Sequence, residues 1–337
     1  MTIRVGINGF GRIGRLVMRA ILESDRDDVQ VVGINDLGPA DMNAYLLRKD
    51  SVHGNLSQPV TVNGDIMNAG KGDIKVTAER DPSNLPWGEL DVDIAFECTG
   101  IFTARDKAAA HLAAGASKVL ISAPSGDADN MVVYGVNHDS LTADHKIVSN
   151  ASCTTNCLAP LAMVLNNGVG IEAGFMTTIH AYTGDQNIVD SLHSDPLRAR
   201  AAGLSMIPTS TGAARAVGKV LPELDGKLDG TSIRVPIPNV SVVDLTFTSS
   251  RDTNVEEVNA LISAAANGGD ALASILDIVE EPSVSIDFNH CPASSSVDLA
   301  QTQVTGKRLV RVLSWYDNEW GFSNRMSDTA RVMASLG

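Results

Sequence analysis

The stretch Ile3-Arg4-Val5-Gly6-Ile7-Asn8-Gly9-Phe10-Gly11-Arg12-Ile13-Gly14 decides the reading of the first half of the chain. Ile3 to Asn8 is a short β-branched run that predicts a strand. From Gly11 to about Glu23, Ile13, Leu16, Val17, Ala20 and Ile21 fall on one helical face. Between strand and helix lies a G-x-G-x-x-G, a weak signal alone that gains meaning from this strand–turn–helix context. Gly9 permits the tight turn, Gly11 removes the side chain where a pyrophosphate must approach, and Gly14 lets helix and strand pack closely. The helix start then offers free N–H groups and positive dipole to the phosphates. Asp36 closes the next strand roughly 20 residues past Gly14, where an acid meets a ribose 2′-hydroxyl and repels a 2′-phosphate. The cofactor expected is therefore NAD in preference to NADP. The plain alternative is a glycine turn in a structural β-α unit with a solvated Asp.

Outward from this loop the first half keeps alternating. Val29 to Asn35, Asp93 to Cys98, Lys118 to Ser122, Val132 to Val136 and Ile147 to Ser149 read as strands, and Ala104 to Ala114 as an Ala-rich helix. Such alternation predicts a parallel sheet covered by helices on both faces. The second half has longer strand-like runs: Phe175 to Ala181, Ser232 to Val235, Val240 to Phe247, Val284 to Asp287 and Arg308 to Tyr316. Helices are expected at Asn156 to about Asn166, Val255 to about Ala266 and Asn324 to Leu336, with a long ordered loop from Gly184 to Leu204. The fold class expected is α/β: a Rossmann-type doubly wound parallel sheet plus an α+β catalytic domain with a mostly antiparallel sheet.

The bulk properties narrow the function. A chain of 337 residues suggests two domains, and 44% hydrophobic with 20% charged residues fits a globular enzyme. A net charge of −14 speaks against nucleic-acid or anionic-membrane binding through a general positive field. It leaves room for an anionic small substrate held by a few Arg and N–H groups. Cys98, Cys153, Cys157 and Cys291 are too few for a disulfide scaffold, and no Cys/His pair completes a zinc pattern, so no metal is expected. With no signal-peptide pattern and no apolar run of about 18 residues, a cytoplasmic protein is expected.

Ser149-Asn150-Ala151-Ser152-Cys153-Thr154-Thr155-Asn156-Cys157 lies between a strand and an apolar helix. A cysteine at a helix start has a reason to ionise, because unpaired N–H groups and the dipole stabilise negative sulfur. Ser152, Thr154 and Thr155 leave space and donors for an oxyanion. His180, in Thr177-Thr178-Ile179-His180-Ala181-Tyr182-Thr183, ends a strand and is the candidate base; beside the sulfur it would form an ion pair and lower the thiol further. Cys98 and Cys291 read as small buried hydrophobes, and Cys157, one turn past Cys153, as a packing residue.

These segments, with Ser210-Thr211-Gly212-Ala213-Ala214, Arg234-Val235-Pro236 and Trp315-Tyr316-Asp317-Asn318-Glu319-Trp320-Gly321, resemble the phosphorylating glyceraldehyde-3-phosphate dehydrogenase family of glycolysis, bacterial type, over essentially the whole chain. The resemblance implies that Cys153 attacks an aldehyde to form a hemithioacetal and that His180 handles the protons. Hydride transfer to NAD then leaves a thioester, which inorganic phosphate cleaves to an acyl phosphate, 1,3-bisphosphoglycerate. It implies that Thr183, Arg200 and Arg234 hold the phosphate of glyceraldehyde 3-phosphate, and that Ser152, Thr154, Thr211 and Gly212 hold inorganic phosphate. For an arbitrary Arg the commoner role is a surface ion pair. NAD contacts implied beyond Gly9, Gly11, Gly14 and Asp36 are Arg12, Ile13, Arg80, Ser122 and Asn318. The domains implied are an NAD-binding domain over 1–151, joined by the helix at about 319–337, and a catalytic domain over 152–318. A homotetramer is implied, with the loop from Gly184 to Leu204 between subunits.

Two departures bear on the cofactor. Gly184 stands where some relatives have Asn, and Ser191-Leu192 where many NAD-specific relatives carry Leu-Pro, so dual NAD/NADP use is an alternative. Erythrose-4-phosphate dehydrogenase is the nearest rival, but it generally lacks a run like Ser210 to Ala214. A Cys-His acyl hydrolase without a redox step is a rival from another class, and the glycine loop with Asp36 argues against it.

Overall fold

The computed structural model describes residues 2–24 and 26–337; Met1, where the first expected domain begins, and Asp25 lie outside the described residues. The chain forms two compact units. The first contains Met1–Val132, His138–Ser152 and Ser323–Gly337, and the second Val133–Asn137 and Cys153–Phe322.

The first unit is built on a nine-stranded sheet. Its order is Asn130–Met131, Ile147–Ser149, Lys118–Ile121, Ile94–Glu97, Ile3–Asn8, Val29–Asn35, Asp73–Thr77, Ile66–Asn68, Thr61–Asn63. The first seven strands run parallel and the last two pair antiparallel at the edge. Ile94–Glu97 and Lys118–Ile121 are buried at every residue, as strands covered on both faces must be, and apart from Glu97 and Lys118 at their ends they are apolar for that reason. The helix Arg12–Glu23 starts directly after the glycine loop. Gly9 sits at φ +89°, which a side chain rarely tolerates, and a Cβ on Gly14 would lie 2.1 Å from the Gly9 carbonyl oxygen. The indole of Trp87 is fully buried and lies against Gly6 and Gly33, where any Cβ would stand 2.8 Å from its ring.

Under the glycine loop a buried polar chain ties the strand ends together. Glu97 Oε2 accepts from Asn8 Nδ2 at 2.6 Å and faces His111 Nε2 at 3.0 Å, while Oε1 accepts from the Thr99 N–H at 2.7 Å and from the Thr99 hydroxyl. Trp87 Nε1 donates to His111 Nδ1 at 3.0 Å, so the ring proton sits on Nε2 and points at the carboxylate. Asn35 Nδ2 donates to Asn8 Oδ1 at 2.7 Å. A buried carboxylate is tolerated here because its lone pairs are filled.

The second unit carries an eight-stranded mixed sheet. The order is Ile207–Thr209, Leu228–Val235, Ile171–Ala181, Ser241–Ser249, Leu309–Tyr316, Ser295–Asp298, Leu276–Val279, with Gln303–Thr305 also pairing to Leu309–Tyr316. Leu228–Val235 pairs parallel to Ile171–Ala181, and Leu276–Val279 parallel to Ser295–Asp298; the other pairings are antiparallel. The helix Cys153–Val169 is buried along most of its length, which is why its sequence is apolar nearly all round. Pro160 lies inside it, where its missing N–H removes one rung of the ladder without ending the helix.

Two expected strands do not form. Val132 to Val136 leaves extended structure after Met131, and Gly135, at φ +82°, turns the chain. Val284 to Asp287 becomes the 3-10 turn Ser285–Phe288, closed by the Asp287 carboxylate accepting from the Val284 N–H at 2.8 Å. The Ala-rich helix is split into Arg105–Ala108 and Ala110–Ala113. The stretch from Gly184 to Leu204 is a loop but for the short 3-10 turn Ala202–Leu204.

Candidate active site

In the first unit a cavity of about 390 Å³ opens over the glycine loop, lined among others by Asn8, Gly9, Gly11, Asp36, Arg80 and Thr99. A Cβ on Gly11 would meet no atom within 4 Å, so the loop faces open space there. Asp36 is held in place by backbone donors: Oδ2 accepts from the Phe10 N–H at 2.8 Å and Oδ1 from the Gly38 N–H at 3.0 Å. Each oxygen keeps a second lone pair for an outside donor. A dinucleotide's pyrophosphate and diol fit this donor set. Of the other expected contacts, Gly14 serves packing and Ile13 is partly buried on the helix. Arg12 forms an ion pair with Asp50 at 2.5 Å, and the Ser122 hydroxyl bonds the Cys98 thiol. Cys98 lines the cavity, which differs from the fully buried residue expected; burial still pushes its thiol up to about 12.

In the second unit the strand register assembles the chemistry. His180 and Arg234 are direct neighbours on the parallel pair Ile171–Ala181 and Leu228–Val235. Cys153 opens its helix, and its Sγ lies 3.6 Å from His180 Nε2. Arg234 Nη1 stands 2.6 Å from His180 Nδ1 and 3.1 Å from the Ala181 carbonyl oxygen. Tyr316 meets the imidazole edge-on, with ring centroids 5.9 Å apart, and its hydroxyl bridges Thr154 Oγ1 at 2.8 Å and Thr178 Oγ1 at 2.9 Å. The Ser241 hydroxyl accepts from the Ala181 N–H at 3.1 Å and donates to Asn318 Oδ1 at 2.8 Å, so one chain of bonds fixes both the imidazole's strand and the Asn318 amide.

Burial pushes the Cys153 thiol up, against the pull of Arg234 and of the Thr154 hydroxyl and N–H. Burial, then the Arg234 charge, bring His180 down to about 3. The ion pair expected between imidazolium and thiolate is thus not the form favoured here. The permanent cation beside both groups is Arg234, which keeps the imidazole neutral. Cys157, with its Sγ near Ser295 Oγ and the Ser314 carbonyl, is fully buried and its thiol is pushed up to about 12 by that burial.

The expected anion contacts divide. Thr154 turns its hydroxyl inward to Tyr316. Ser152 and Thr183 are partly exposed; the Thr183 N–H donates to Gln186 Oε1 at 2.9 Å. Thr211 Oγ1 accepts from the Ala213 N–H at 3.2 Å, and Gly212 is exposed with open space beside it. Arg200 points outward, 64% exposed, in an ion pair with Asp190 at 2.8 Å. Arg198, two residues earlier, turns inward instead. Its Nε donates to Thr209 Oγ1 at 2.8 Å, its Nη1 pairs with Asp185 at 2.6 Å, and its charge is felt by Arg234. Sequence reasoning missed Arg198, Gln186 and Tyr316. The Arg198-Ala199-Arg200 pattern offered both arginines, and Tyr316 lay within the segment already singled out.

Among the described residues no group of three or more His, Cys, Asp or Glu could hold a metal ion, and no helix is long and apolar enough to cross a membrane. A family model described as glyceraldehyde 3-phosphate dehydrogenase, NAD binding domain, matches residues 3–105, and one described as glyceraldehyde 3-phosphate dehydrogenase, C-terminal domain, matches residues 152–318. Among curated relatives, glyceraldehyde-3-phosphate dehydrogenase of Xanthobacter flavus is 66% identical over 337 residues, covering 100% of both chains. That of Cereibacter sphaeroides is 64% identical over 336 residues, again covering 100% of each. That of Zymomonas mobilis is 59% identical over 335 residues, 99% of each.

Proposed function

The chain belongs to the glyceraldehyde-3-phosphate dehydrogenase family, and from that premise we propose how its own residues carry the oxidation of glyceraldehyde 3-phosphate with NAD and inorganic phosphate. The observation that carries the reading is the Cys153 sulfur at a helix start, 3.6 Å from His180 Nε2 and within the field of Arg234. Cys153 attacks the aldehyde carbon as its thiol proton passes to the carbonyl oxygen, which becomes the hydroxyl of the hemithioacetal. The N–H groups of the helix start, which point toward the sulfur end, offer donors to the oxygen as charge develops on it. His180 takes the hydroxyl proton of the hemithioacetal as general base. Bound NAD supplies the hydride acceptor, and residues 1–151 with the C-terminal helix hold it, Gly9 and Gly11 giving room to its phosphates and Asp36 binding its ribose. Asn318, fixed by Ser241, orients the reacting end.

The thioester that results keeps the oxidation energy until phosphate arrives. The catalytic domain, residues 152–318, has two anion sites in this reading. Arg234, Thr183 and Arg198, the last in place of Arg200, hold the substrate phosphate; the loop of Thr211 and Gly212, with Ser152, receives inorganic phosphate. Ile188, Val189, Leu192, Leu204 and Met206 are all exposed on one loop region, an apolar surface that supports self-association into the homotetramer. The cytoplasm is the compartment proposed, since it holds the glycolytic substrate. The test is a steady-state assay of purified protein with NAD, glyceraldehyde 3-phosphate and phosphate, each omitted in turn. NADH formation that persists at full rate without phosphate would exclude the phosphorylating reaction.

A further inference from the structure

Arg234 does more than await an anion. Its Nη1 lies 2.6 Å from His180 Nδ1, and Nδ1 lies 2.7 Å from the Ala181 carbonyl oxygen. A guanidinium can only donate and a carbonyl oxygen can only accept, so Nδ1 cannot serve both; with Arg234 in place the Ala181 oxygen is already supplied by Nη1 at 3.1 Å, and the charged donor takes the Nδ1 lone pair. A neutral imidazole carries one proton, which then sits on Nε2, the atom facing Cys153 Sγ. In that tautomer Nε2 has no lone pair and cannot take a proton from anything bound at the sulfur. The working tautomer carries its proton on Nδ1, donated to the Ala181 oxygen. With Arg234 where it stands, that form sets donor against donor at 2.6 Å.

A second observation shows that the arginine is not at rest in this position. Arg234 Nε is buried without a hydrogen-bond partner, a cost that an anion would remove. Burial likewise lowers Arg234 from its ordinary value, as befits a cation lacking its counter-ion.

We propose that Arg234 is a substrate-operated tautomer gate on His180: with the phosphate site empty it holds the ring as the Nε2–H form, and the phosphate of a bound substrate draws the guanidinium off, letting the proton settle on Nδ1 and making Nε2 the acceptor. This rests on the function proposed above. The ring exchanges one proton with water and stays neutral during the switch. It becomes an imidazolium only when it takes the hemithioacetal hydroxyl proton, as the C–H electron pair leaves as hydride to NAD and the C=O of the thioester forms. Arg234 is in this respect a positioning residue, and the remote phosphate's binding energy is realised in kcat. The low His180 pKa with Arg234 parked beside it is consistent with a base held off duty.

The experiment compares single-turnover NADH formation from glyceraldehyde 3-phosphate and from glyceraldehyde, which lacks the phosphate, in wild type and Arg234→Leu. Misplacing the proton of a catalytic imidazole can cost up to about 10⁴ in turnover, so releasing it is visible. Arg234→Leu should slow the phosphorylated aldehyde yet speed saturating glyceraldehyde by about tenfold, a modest share of the ~10²–10⁴ a general base supplies. A structural or purely phosphate-binding role predicts no acceleration, and an unchanged or slower glyceraldehyde reaction overturns the gate. Should the variant not fold, inorganic phosphite added to wild type with glyceraldehyde decides: stimulation supports the gate and its absence overturns it. A wild type that fails to reduce NAD with glyceraldehyde 3-phosphate and phosphate would instead sink the functional reading itself, before any variant is made.

Discussion

Replacing Glu97 by glutamine probes the buried chain beneath the glycine loop. The carboxylate accepts four bonds: from Asn8 Nδ2 and His111 Nε2 on one oxygen, and from the N–H and hydroxyl of Thr99 on the other. His111 cannot turn acceptor toward it, because Trp87 Nε1 already claims Nδ1. An amide NH₂ placed toward Asn8 and His111 therefore faces two fixed donors. Placed toward Thr99 it faces the backbone N–H, although the hydroxyl can rotate to accept. The second orientation costs least, and it strands one buried N–H, at about 1–3 kcal/mol. The remaining bonds lose their charge assistance, roughly half their strength. The sum is about 3 kcal/mol. For a unit of this size about 2–4 °C accompany each kcal/mol, so calorimetry should show its transition lowered by about 10 °C. Titration calorimetry with NAD should show weaker binding, because Asn8 lines the cavity over the glycine loop. A Glu97→Gln protein that melts within about 2 °C of wild type, a difference under about 1 kcal/mol, would mean the carboxylate does not bind these four donors.

Four further outcomes are expected. Cys153→Ser abolishes aldehyde oxidation while NAD affinity, measured by titration, stays near wild type; normal turnover would remove Cys153 as nucleophile. Arg198→Leu raises KM for glyceraldehyde 3-phosphate by about tenfold or more, the loss of one charge-assisted contact of about 1.5–3 kcal/mol, whereas Arg200→Leu changes it far less; the reverse ranking would restore Arg200 to the site. Asp36→Gly narrows the NAD over NADP ratio of kcat/KM, and an unmoved ratio would show that the acid reads nothing. Asp50→Asn lowers stability by about 2 kcal/mol at neutral pH. Burial opposes the Asp50 charge, but the His53 N–H, Arg12 and the Val52 N–H outweigh it and hold the carboxyl at about 2. A depressed folded-state value means this stability is present above the unfolded value near 4 and is lost as pH falls toward 2. Denaturant melts of the two proteins should converge across that window, and a gap that stays constant down to about pH 2 would refute the assignment.

What the sequence displayed and what it hid follow different physics. The glycine loop was legible because turn and close approach demand glycine at Gly9 and Gly14, and no tertiary context changes that demand. The buried parallel strands were legible because burial on both faces keeps them apolar but for one charged end residue each, Glu97 and Lys118. Apolar runs misled at Val132 to Val136, where one positive-φ glycine turns a buried segment without making it less hydrophobic. Val284 to Asp287 misled because a single side-chain bond closes the turn. The nearness of Cys153 and His180 depends on the packing of a helix against a strand from 27 residues away, which no local pattern encodes. Arg198 and Arg200 are indistinguishable by type, and only the loop's path, with Thr209 and Asp185 on one side and Asp190 on the other, sorts them.

The slot that Gly6 and Gly33 open for the indole of Trp87 has an optical consequence. The chain has three tryptophans, and Trp87 is in the first unit while Trp315 and Trp320 are in the second. Trp315 stacks on Phe288 and Trp320 on His290, so each unit contains its own chromophore in its own surroundings. Fluorescence of a Trp87→Phe protein reports on one unit alone, and subtraction from wild type recovers the other. The molecule thus comes already labelled for asking which half loosens first.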